Sequence, residues 1–91
     1  MDPATVERLY QIDQAIQRVA NAKLRQEQLL GLFWERMPPI DPEELAKRMQ
    51  DIQDRIRELD SRKRALLEER EALIVQGALN NRRGNGNNGG N

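Results

Sequence analysis

Fifteen Lys or Arg and fifteen Asp or Glu side chains carry nearly all the chemistry open to this chain of 91 residues, which has no His and no Cys. Without imidazole or thiol the chain offers no side chain that ordinarily titrates near neutrality, no disulfide and no thiolate metal site. No catalytic, metal or cofactor residue is therefore assigned. What remains is the pairing of opposite charges. Five acids stand four residues before a base: Glu43–Lys47, Glu44–Arg48, Asp51–Arg55, Glu58–Arg62 and Asp60–Arg64. On a helix that order is the favourable one, at ~0.2–0.5 kcal/mol a pair, and it describes a solvated helix surface. Arg55, Arg57, Arg62, Lys63 and Arg64 make a locally basic stretch, but Asp54, Glu58 and Asp60 dilute it. With a formal net charge of zero, nothing pulls the whole chain onto nucleic acid or anionic lipid.

The elements that hold these charges are long helices. Leu45, Ile52, Leu59, Leu66 and Leu73 recur every seven residues, with Met49 and Ile56 at alternate positions, and neither Gly nor Pro interrupts residues 43–76. On the N-terminal side Leu9, Ile12, Ile16 and Val19 follow a 3-4-3 spacing, and Leu30, Phe33 and Met37 resume it. Asp2 before Pro3 reads as an N-cap with proline at the first helical position. Between the two patterns, Pro38, Pro39 and Pro42 stop one helix, and Asp41 caps the next with Glu43 and Glu44 in its first turn. So short a loop folds the helices antiparallel. The expected fold is all-α: an antiparallel two-helix coiled-coil hairpin, with helix 1 over about 3–37, a turn at 38–41 and helix 2 over about 42–79.

Folding back about this loop pairs seam residues whose numbers add to about 82. The layers are Met37/Leu45, Phe33/Met49, Leu30/Ile52, Gln26/Ile56, Lys23/Leu59, Val19/Lys63, Ile16/Leu66, Ile12/Arg70 and Leu9/Leu73. No layer sets polar against polar. The polar seam members Lys23, Gln26, Lys63 and Arg70 either lay their stems on the seam with their heads in water, or meet acids of a partner chain.

Apolar residues are left over once the seam is complete. Val6, Tyr10, Leu67 and Ile74 widen the stripe at the open end, and Trp34 stands near the loop, so these five are the candidate partner-binding residues. Trp34 either packs over Met49 and Pro38 or is presented to a partner. A stripe wider than the seam suits bundles of more than two helices. Residues 80–91 are Asn, Gly and two Arg, a composition expected to leave a disordered tail, with Gly77 ending the helix or loosening its last turn. Arg82 and Arg83 offer only a weak route to nucleic acid.

Pro39-Ile40-Asp41-Pro42 resembles the Pro-x-Asp-Pro loop of type III secretion needle subunits, small helical hairpins that polymerise. The likeness covers four residues and the overall shape. The chain departs from that pattern in its higher charge and in the Asn/Gly stretch after helix 2. No apolar run reaches the ~20 residues of a membrane span, and no signal-peptide segment is evident, so a soluble protein is the expectation. Two functions follow. The first is a non-enzymatic structural or assembly protein that forms a homo-oligomer or a subunit of a larger secretion or viral assembly. The second is a small adaptor or inhibitor binding a different protein through the spare strip.

Overall fold

In a computed structural model the chain forms two helices, α1 (Pro3–Glu35) and α2 (Pro42–Gly89), packed side by side. The structure describes residues 1–89, with side chains to residue 80. The antiparallel hairpin expected from the loop is what forms, with no strand among the described residues.

Local chemistry explains where each helix begins. The Asp2 carboxylate accepts the Thr5 amide at 2.7 Å, and Pro3 takes the first helical position, where a missing N–H costs nothing. The backbone bond from Thr5 holds the Asp2 carboxyl below its ordinary value. At the start of α2 the Asp41 carbonyl accepts the Leu45 amide at 2.9 Å, and Glu43 and Glu44 fill the first turn.

The connection differs from the expected turn. Helix α1 stops at Glu35, with Arg36 capping at φ −134° and ψ 87° while its amide bonds the Leu32 carbonyl at 2.8 Å. Met37 is thus outside the helix and 68% exposed, so the expected Met37/Leu45 layer does not form. The reason is its following residue: Pro38 disfavours helical backbone at Met37, and the helix has already ended at Glu35, so the side chain is left off the seam. Ile40 turns back to bond the Pro38 carbonyl at 2.8 Å, tightening the loop.

Ile12, Val19, Leu45, Ile52 and Leu59 are buried, and Leu9, Ile16, Leu30, Phe33, Met49, Ile56, Leu66 and Leu73 are half-buried. The buried positions of each helix are one heptad apart, so a single stripe on each faces the other.

Gly77 neither ends nor loosens α2. It has no positive φ, lies inside the helix and is buried. Its role is close approach: a Cβ there would meet the Met1 Cε at 2.5 Å, so the hydrogen lets the Met1 side chain lie against the helix. Helix α2 runs on to Gly89, where the sequence places the end of helix 2 near residue 79. The backbone of residues 80–89, expected as part of a disordered tail, is thus helical, while the side chains of Arg82 and Arg83 lie outside the described residues.

Candidate interaction surface

Lys23 and Arg70 occupy seam positions, and each reaches across to a carboxylate beside the apolar residue it covers. The Arg70 Nε donates to Asp13 Oδ1 at 2.7 Å, next to Ile12, which is 0% exposed. The Lys23 Nζ meets Asp60 Oδ1 at 2.7 Å, next to Leu59, which is 4% exposed. In both, an aliphatic stem lies on the seam while the charged head emerges at its edge. Both heads go to acids of the same chain. The hydrogen bond to Asp60 raises the Lys23 amine above its ordinary value. Gln26 and Lys63, the other polar seam residues, are half-buried, and no acid pairs with Lys63 among the described residues.

On the other flank Arg8 grips Glu69 through two bonds, Nε to Oε2 and Nη2 to Oε1, both 2.8 Å. The fork-to-carboxylate geometry raises the Arg8 guanidinium and lowers the Glu69 carboxyl from their ordinary values. Lys23–Asp60 and Asp13–Arg70 share one register, their numbers adding to 83, while Arg8–Glu69, adding to 77, ties the helices on the other flank.

Local pairing follows the expected pattern in one case of five. Arg48 meets Glu44 at 3.4 Å, but Arg55 turns to Glu58 at 3.0 Å and Asp54 to Arg57 at 3.4 Å. Asp60 is drawn to Lys23, which the seam delivers to it. Glu43–Lys47, Asp51–Arg55, Glu58–Arg62 and Asp60–Arg64 do not pair among the described residues. Arg62 is consequently left without a carboxylate there.

Arg62 belongs to a feature that the periodicity of neither helix reveals. Arg18, Arg55 and Arg62 rim a groove of about 420 Å³ whose walls are Ala15, Ala22, Val19, Leu59 and Leu66. The groove exists because α1 places alanines at the edge of the seam where α2 places arginines. Its signal lies in the register itself: Ala15 with Arg62 and Ala22 with Arg55 share the number sum of Arg8 with Glu69.

All five candidate partner-binding residues are exposed: Val6 53%, Tyr10 59%, Trp34 70%, Leu67 45% and Ile74 38%. Trp34 is presented outward. Tyr10 accepts a hydrogen bond from Gln14 Nε2 at 2.9 Å, which satisfies the phenol and leaves the ring outside. Val75 and Leu79, each 51% exposed, extend the Leu67–Ile74 surface along α2. Beside the Leu67–Ile74 strip, Glu68, Glu71, Ala72, Val75, Gln76 and Leu79 outline a shallow depression of about 460 Å³. Among the described residues no three His, Cys, Asp or Glu side chains converge as a metal site would require. Among those residues no helix is long and apolar enough to cross a membrane. Comparison with known proteins finds no matching family model, no similar curated protein and no similar solved structure.

Proposed function

We propose that this chain is a non-enzymatic structural protein that self-associates through hairpin packing, as a building block of a larger assembly. One observation carries the reading. Among the described residues five hydrophobic side chains are buried, whereas twelve large ones are exposed, on a rod 76 × 18 × 16 Å. A rod two helices thick cannot cover its own apolar surface, and each large side chain forgoes up to ~1.5–3 kcal/mol while it stays in water. A further hairpin against the Leu67–Ile74 strip supplies the missing cover. The same thinness argues against an enzyme, because catalysis needs groups converging in a water-excluding pocket.

The test is molar mass. Leu67→Ser with Ile74→Ser is expected to lower the mass measured by light scattering, while the parent's melting temperature rises with concentration. A parent that stays monomeric, with a concentration-independent melting point, would sink the proposal.

A second reading rests on the opposite end. Trp34 and Met37 are the two most exposed large apolar residues, 70% and 68%, and both lie at the loop. Tryptophan is enriched among the residues that anchor protein interfaces, so this end suits a different protein in an adaptor or inhibitor role. Trp34→Ala weakening capture of a foreign partner while leaving self-association intact would support it.

A further inference from the structure

We propose that the arginine-rimmed groove of one hairpin receives the Leu67–Ile74 face of a second copy, joining hairpins head to tail through two unlike surfaces. The inference rests on the self-association proposed above and names the surfaces that carry it.

Spacing is the first argument. Ala15 and Ala22 stand one heptad apart at the groove, and so do Arg55 and Arg62 on its other wall. Leu67 and Ile74 are also one heptad apart, which on a helix is ~10.5 Å. Two large side chains therefore meet two small ones at matching intervals, as packing of one helix into the groove of another requires.

Charge is the second. Arg18 and Arg62 have no carboxylate in ion-pair reach among the described residues, and Arg55 holds only the exposed Glu58 at 3.0 Å. Glu68 and Glu71 fall between Leu67 and Ile74 in sequence and line the depression beside them on α2, and neither has a cation in ion-pair reach among the described residues. Groove against groove would set arginine on arginine, and face against face would set glutamate on glutamate. Only the unlike pairing satisfies both, so a two-fold contact of like surfaces is disfavoured. The two surfaces share no residue, and each copy can hold one neighbour at each. Repeated head to tail such a contact closes into a ring or continues as an open chain, and made reciprocally between two copies it closes as a dimer.

Charge exchange in the full chain tests this. Arg18→Glu with Arg62→Glu reverses the groove, and Glu68→Arg with Glu71→Arg reverses the face. Sedimentation velocity should show each variant reduced to monomer alone and an equimolar mixture restored to the parent's distribution. Circular dichroism should show unchanged helicity, since all four side chains are exposed. Ala22→Leu, which fills the groove without altering charge, should reduce association as well. If the parent associates and all three variants associate equally, these surfaces are wrong while self-association stands. Monomeric variants whose mixture stays monomeric would refute the charge pairing. A parent monomeric at every concentration would refute self-association itself.

Discussion

Lys63 sits where Lys23 and Arg70 sit, half-buried on the seam, yet among the described residues it lacks their compensation. Lys23 finds Asp60, and Arg70 finds Asp13, in pairs whose residue numbers share one sum. The same arithmetic assigns Ala20 as the neighbour of Lys63. Ala20→Glu is therefore expected to raise the melting temperature by about 1–5 °C at low salt, an effect that fades as salt is added. Ala20→Gln, with similar helix propensity and no charge, should give no such rise. Calorimetry of the two variants at two salt concentrations decides the matter. A rise of equal size in both would mean that packing or propensity, and not the ion pair, is responsible. Sequence spacing alone does not pick out the cross-helix acids. Within one helix it favours Asp60–Arg64, but the seam holds Lys23 against Leu59 and thereby presents a cation that Asp60 reaches first. Local pairs are decided by which partner the fold has already immobilised.

At the level of the helices, the seam and the loop obey different constraints. Ile52, 8% exposed opposite Leu30, is held by packing between two helices, whereas Met37 lies past the end of α1. Ile52→Ala should cost about 2–4 kcal/mol, and Met37→Ala should stay within about 0.5 kcal/mol of the parent. Alanine is a good helix former, so neither change confounds packing with propensity. Urea unfolding followed by circular dichroism provides the comparison, and equal costs would mean the seam is misassigned. The heptads alone make the apolar seam from Leu9 to Leu73 legible, because a period of seven on both helices and a proline-rich break leave one way to fold. Met37 is the exception, since apolar periodicity runs on past the point where Pro38 forbids the helix. Gly77 is ambiguous because glycine signals both helix ends and close approach, and only the position of Met1 distinguishes them. The arginine groove is illegible on either helix alone, since each contributes one wall.

For the whole molecule, side-chain charge is nearly constant across the neutral range, as no His or Cys is present to titrate there. The Glu69 carboxyl is held below its ordinary value near 4.5 by Arg8, so the folded state binds fewer protons than the unfolded one. That contribution is complete above about pH 4.5 and is lost as the pH falls through the lowered value. Lys23 is raised above its ordinary 10.5 by Asp60, so its contribution is complete below that pH and is lost as the pH climbs through the raised value. The melting temperature should accordingly be flat from about pH 5 to pH 10 and decline beyond both limits. Glu69→Gln should shrink the acid-side decline and leave the alkaline side untouched. A melting temperature that varies steeply between about pH 6 and pH 8 would contradict this balance of charges.

The inter-helix pairs Arg8–Glu69, Asp13–Arg70 and Lys23–Asp60 also limit how this chain can change in length. The loop is the fixed origin from which both helices are counted. Removing one residue from α1 alone turns everything beyond it by ~100° and slides it ~1.5 Å past α2. Every pair toward the open end is then broken at once. Removing seven from α1 keeps the stripe facing α2 but sets each distal residue against the wrong heptad, so Arg8 no longer finds Glu69. Only matched deletions, one heptad from each helix at the same distance from the loop, preserve the pairs beyond them. Insertions and deletions in this protein are thus tolerated as coupled events on two separate stretches of the gene, and the length of the rod changes in steps of ~10.5 Å.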